Sequence, residues 1–235
     1  MNAPHLDIDG EDFGWDIVPA IEKSFGIRFE QNDFEHVRTY GELCGVIQDK
    51  LPPATSSTCT SQQAFYKLRL ALRTHAVDVV ITPDSLLADI LPLSRARRHQ
   101  AAQEIEKSLG MKLTILGAHP IIETPLFIML LLSFPGLFVG IVAGSITRSW
   151  MGVLASLICF ATAILGMSIA NRFGATIQYT TVRELVSAMS SRFYRQSRRD
   201  PSSVNQREII PHLNELFSHT SGIDLDQLTP DAILT

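Results

Sequence analysis

The stretch that decides the fold runs PLFIMLLLSFPGLFVGIVAG over residues 125–144, then SITRS, then WMGVLASLICFATAILGMSIA over residues 150–170. Neither apolar run holds a charged residue. Each matches the ~20 residues a helix needs to cross a hydrocarbon core of ~30 Å. The SITRS connection is too short to hold a domain, so the runs are expected as antiparallel neighbours: a two-helix transmembrane hairpin. Trp150 would stand at the interface, where indole partitions favourably.

Gly136, Gly140 and Gly144 repeat every fourth residue and so form one strip along the first helix. Small residues let helix backbones approach where no hydrophobic effect drives association. Gly152, Ala155, Ser156, Ala163 and Gly166 are available to face the strip. The same strip would equally serve a homo-oligomer, and the sequence does not choose. Pro135 removes a backbone donor and is expected to kink the first helix. With no ionisable side chain in either span, the hairpin reads as an anchor rather than an ion or proton path.

Working outward, Arg95, Arg97, Arg98, Lys107 and Lys112 precede the hairpin. Arg172, Arg183, Arg192, Arg195, Arg198 and Arg199 follow it, and the connection holds only Arg148. The positive-inside bias therefore places both termini in the cytoplasm of a multi-pass protein of the cell (inner) membrane. The N-terminus MNAPHLDIDGEDFGWD is acidic and lacks the apolar core of a cleavable signal. Net charge is −4, which offers no global field for nucleic acid. The cysteines Cys44, Cys59 and Cys159 are in no metal-ligand spacing, nor are the seven histidines, so no metal site is expected.

Outside the hairpin the apolar residues recur at helical spacing, as at Ile17, Val18, Ile21 and Phe25, and at Phe65, Leu68 and Leu72. Helices are predicted over 15–25, 41–51, 62–73, 95–109, 181–193 and 206–220, and no alternating strand pattern competes. The fold class is all-α. The chain also resembles itself: AIEKSFGIRF at 20–29 and EIEKSLGMKL at 104–113, RTYGELCGVIQDKL at 38–51 and TTVRELVSAMSSRF at 180–193, VITPDSLLADIL at 80–91 and LTPDAILT at 228–235.

These segments resemble the acyl carrier protein family. The helix 62–73 followed by ITPDSLLADIL is similar to that family's first helix and its Thr-Pro-Asp loop, and TTVRELVSAM is similar to the start of its last helix. The resemblance implies small carrier-protein-like helical bundles with the hairpin inserted into one of them. Residues 1–53 would hold helices two to four of one bundle. Residues 54–123 and 172–200 would make a central bundle around the hairpin at 124–171. Residues 201–235 would supply the helix that completes the N-terminal bundle, as in a circular permutation. The segment IDGEDFGWDIVPAIEKSFGI also looks like the start of some small bacterial membrane proteins.

True carriers bear phosphopantetheine on a serine in an Asp-Ser-Leu motif at the start of helix two. Counting through the central unit puts Ser94 or Arg95 there, and counting through the N-terminal unit puts Glu11 there. Leu93-Ser94-Arg95 departs from the motif, and Ser94 has a second role available as a helix N-cap. Arg95, Arg97 and Arg98, with Arg198 and Arg199, are candidate contacts for anionic lipid headgroups. There is no GxSxG and no phosphate-binding glycine loop. The reading is therefore a membrane-anchored, non-catalytic carrier-like interaction or scaffold protein without a cofactor, its partners lipid and an unidentified protein. The alternative is a membrane-tethered acyl carrier using Ser94 in lipid or polyketide assembly. A third class, an enzyme or channel, lacks convergent polar residues in the sequence.

Overall fold

Thr39 and Thr181 show how local sequence starts a helix in this protein. The computed structural model describes residues 4–76, 79–117, 120–147, 150–174 and 176–234, and the side chains of 31, 120–123, 143, 144, 146, 147 and 171–173 lie outside the description. In each case the threonine is extended and its hydroxyl accepts the N–H of the glutamate three residues on, Glu42 at 3.3 Å and Glu184 at 3.2 Å. Glu42 returns the bond, its carboxylate accepting the Thr39 N–H at 3.0 Å, which completes a capping box.

The helices follow in chain order. α1 (Gly10–Asp12) runs through a π-helical turn (Phe13–Ile17) into α2 (Val18–Phe25), and a 3-10 turn spans Gln31–Phe34. Then come α3 (Tyr40–Lys50), α4 (Thr60–Arg73), α5 (Leu87–Ile90) and α6 (Arg95–Leu109). The long α7 (Pro120–Thr147) and α8 (Met151–Phe173) are followed by α9 (Val182–Arg192), α10 (Tyr194–Ser197) and α11 (Gln206–Ser221). The class is all-α. One ladder departs from the sequence reading: β1 (Leu116–Gly117) pairs antiparallel with β2 (Thr176–Ile177). Two residues are too few to show alternation, so the sequence held no signal for it.

The chain divides into two compact units. The first is Met1–Ile90, Glu104–Leu113 and Thr181–Thr235; the second is Leu91–Gln103 and Thr114–Thr180. In the first unit the two ends of the chain share one core. Leu6, Ile21, Phe25, Leu43 and Ile47 are buried with Leu213, Phe217, Ala232 and Leu234. Burying each large aliphatic or aromatic side chain stabilises by about 1.5–3 kcal/mol. The backbone joins them too: Leu6 N–H donates to Ile233 O at 2.8 Å and Leu234 N–H to Arg38 O at 3.1 Å.

The Thr-Pro-Asp loops repeat in three dimensions. The Tyr40 and Gly41 amides donate to Ala232 O at 2.8 Å and Pro230 O at 2.9 Å. The Val182 and Arg183 amides donate to Ser85 O at 3.0 Å and Pro83 O at 2.7 Å, the same pair of bonds at the matching positions. The IEKS segments end alike as well, Gly26 and Gly110 both taking the left-handed conformation at φ +64° and +68°.

The second unit contains the hairpin. Gly140 lies against Gly152, where an added Cβ would come within 2.8 Å of the Gly152 carbonyl carbon, and Gly136 lies against Ser156. Gly166 faces Leu126, so the helices run antiparallel in a fixed register. Leu126, Met129, Leu130, Ser133, Gly136, Leu137 and Gly140 are the more buried described positions of α7, and Val153, Ser156, Phe160, Ala163, Gly166, Met167 and Ala170 those of α8. That spacing near 3.5 residues belongs to a long, closely packed helix pair. α7 continues as helix through Pro125 and Pro135.

Both helices are long and apolar enough to cross a membrane, over Thr124–Val142 and Met151–Ala170. Their outer faces, including Leu132, Phe138, Ile158 and Leu165, are exposed. Only 11% and 6% of the two spans is buried. The hydroxyls of Ser133, Ser145, Ser156, Thr162 and Ser168 each donate to a carbonyl three or four residues back. They therefore need no outside partner in an apolar surrounding.

Candidate functional site

Ser94 stands immediately before α6, and its carbonyl accepts the Arg98 N–H at 2.8 Å, the first bond of that helix. Its side chain is exposed. Arg95 and Arg97 are exposed. Arg98 is half-buried, and its Nε donates to Pro92 O at 2.9 Å.

Arg198 corrects the sequence reading. It is completely buried, at 0% exposure, and has no surface to offer a headgroup. Its Nε donates to Ser203 Oγ at 2.9 Å, and its Nη1 donates to Thr58 O at 3.3 Å and to Thr60 Oγ1. Glu208 lies 3.8 Å away and the Tyr194 ring 5.6 Å away. A buried guanidinium persists only with such partners, so Arg198 pins the 58–60 segment to α10 and the start of α11. Arg199 beside it is exposed, and its amide donates to Gln63 Oε1 at 2.6 Å.

Of the glycine strip, Gly136 and Gly140 are spent inside the hairpin against Ser156 and Gly152, while the surroundings of Gly144 lie outside the described residues. The face that was open to a second copy in the sequence is, at those two positions, occupied by the chain's own second helix.

One concavity of the first unit was not visible in the sequence. A cleft of about 640 Å³ opens among α4, α9 and α11, lined by Phe65, Tyr66, Pro83 and Val186 and by the polar Ser61, Gln62, Arg183, Glu184, Ser187 and Glu215. Ser187 Oγ donates to Glu215 Oε2 at 2.6 Å. His212 Nδ1 is 4.0 Å from the same oxygen and has no hydrogen-bond partner, although the residue is 94% buried. Burial works against the charge of Glu215, but hydrogen bonding by His212 and Ser187 and the electrostatic pull of His212 outweigh it and hold the carboxyl below its usual range. Arg183 of the lining is bonded to Asp84 Oδ1 at 2.7 and 3.2 Å. Such a cleft can hold a small ligand by apolar contact and one fixed charge. The serine bonds the carboxylate and not the imidazole, so the three groups do not form a nucleophile–base relay.

His212 and Glu215 sit three apart on one helix, a spacing that reads as an ordinary surface pair. Ser187 arrives from a different helix, so no local motif announces it. Among the described residues there is no group of three metal-ligating side chains. No family model, curated protein or solved structure matches the chain.

Proposed function

We propose that this chain is a membrane-anchored, non-catalytic interaction module. In this reading α7 and α8 span the bacterial inner membrane as an anchor. The helical unit stands at the cytoplasmic face as a carrier-like scaffold for a protein partner. The observation that carries it is the hairpin surface: apolar side chains outward, a small-residue seam inward, and hydroxyls satisfied within their own helices. Lysines and arginines flank the hairpin on both sides, which favours cytoplasmic termini. The exposed Arg95 and Arg97 would meet anionic headgroups at about 1 kcal/mol each. The two Thr-Pro-Asp loops, each closing on the first turn of a threonine-capped helix, support the carrier-like description.

Cysteine labelling in intact cells tests the topology. Ser149→Cys in the connection should react with a membrane-impermeant maleimide applied outside, and Cys59 should react only after permeabilisation. The reverse pattern would overturn the orientation.

The exposed hydroxyl of Ser94 favours a second reading, a membrane-tethered acyl carrier. Co-expression with a broad-specificity phosphopantetheinyl transferase tests it. An intact mass raised by one phosphopantetheine, and restored by Ser94→Ala, would replace the scaffold reading; an unchanged mass would remove the carrier.

A further inference from the structure

We infer that the cleft among α4, α9 and α11 binds a small organic cation, an ammonium or guanidinium on an apolar stem, with Glu215 as its counter-ion. Both contacts of the Glu215 side chain fall on one oxygen: Ser187 Oγ at 2.6 Å and His212 Nδ1 at 4.0 Å meet Oε2. Among the described residues the other oxygen, Oε1, has no partner, and 40% of the side chain remains exposed. His212 stands at the far limit of an ion pair, 4.0 Å away, and on the Oε2 side alone. The one basic residue lining the cleft, Arg183, is committed to Asp84. Among the described lining residues an anion meets only this committed arginine, whereas a cation finds a carboxylate oxygen that neither Ser187 nor His212 uses.

The walls suit the rest of such a ligand. Phe65, Tyr66, Pro83 and Val186 give an apolar surface, and the cleft's volume of about 640 Å³ is that of a small-molecule site. The two rings already accept a cation from their own helix: Arg69 Cζ stands 6.0 Å from the Phe65 centroid and 5.7 Å from that of Tyr66. The quadrupole of each ring attracts positive charge, so ring and carboxylate act in the same direction. Held ionised by its donors, Glu215 keeps this charge at neutral pH.

The test is calorimetric titration of the full chain in non-ionic micelles, blanked against empty micelles, with three probes of one shape: 2-phenylethylammonium, neutral 2-phenylethanol and anionic phenylacetate. The ammonium should saturate, the alcohol should bind about tenfold more weakly or less, and the carboxylate should not bind, as expected for one hydrogen bond to a charged group. Glu215→Gln should weaken the ammonium about tenfold and Phe65→Leu about threefold, while Glu11→Gln, remote from the cleft, changes nothing. Ammonium that does not saturate in the millimolar range, or that binds no better than the alcohol, would overturn the site. Equal affinity in Glu215→Gln would do so too. Should Glu215→Gln fold poorly, the comparison of probes on the unaltered protein decides alone. Membrane anchoring is read separately by fractionation, so either reading can fail without the other.

Discussion

The amide of Gly41 donates to the carbonyl of Pro230 at 2.9 Å, joining the first turn of α3 to the C-terminal Thr-Pro-Asp loop. The approach leaves no room for a side chain. A Cβ on Gly41 would lie 2.8 Å from that carbonyl oxygen and 3.2 Å from the proline Cα. At the equivalent place in the other repeat Arg183 makes the same backbone bond to Pro83, so the geometry tolerates a side chain there and not here.

Gly41→Ala should therefore destabilise the helical unit by about 2 kcal/mol, since overpacking against backbone costs about 1–3 kcal/mol. Gly45, in the same helix, has open space around it, and Gly45→Ala should stabilise by about 0.5–1 kcal/mol. Thermal unfolding of the two variants checks the contrast. The same sign for both would contradict the closure of the ends through this contact.

Arg198→Met should cost about 3–5 kcal/mol, because Glu208 is left without its cation and the Ser203 and Thr60 hydroxyls lose a buried donor. Arg198→Lys should rescue little, since one ammonium cannot reach Ser203, Thr58 and Thr60 in the directions a planar fork does. The measurement is the urea midpoint at constant slope.

Burial pushes the Cys44 thiol from 9.0 up to about 11. A raised pKa means the folded state favours the protonated thiol. The associated stability is complete below pH 9 and is lost as the pH rises through about 11. At pH 8, iodoacetamide should modify exposed Cys59 well before Cys44, as read by peptide mass spectrometry. Equal rates would contradict the buried position of Cys44.

Glu215 works in the opposite sense. Its folded pKa is lowered, so its contribution is complete above the usual value of 4.5 and is lost as the pH falls through the folded value. Glu215→Gln should flatten the acid side of the stability profile below pH 4.5. An acid limb identical to that of the unaltered chain would show that the carboxylate carries no such linkage.

The hairpin was legible because its signal is local and long: two charge-free runs and glycines at a spacing of four need no tertiary information. The repeat was legible for the same reason, as Thr-Pro-Asp and Thr-x-x-Glu each fix a few backbone bonds within a short segment. Arg198 was misread because it stands in a run with Arg195 and Arg199, and composition cannot say which arginine turns inward. Its position four residues after Tyr194, whose ring it faces, is the one hint the sequence holds. The cleft was invisible because Phe65, Ser187 and Glu215 come from three helices brought together only by packing.

The most direct measurement is alkaline carbonate extraction of membranes from cells expressing the full chain. A protein anchored by α7 and α8 stays in the membrane pellet after carbonate and after urea, and is released only by detergent. Recovery of the full chain in the soluble fraction would contradict the anchor and, with it, the assignment of the helical unit to the membrane surface.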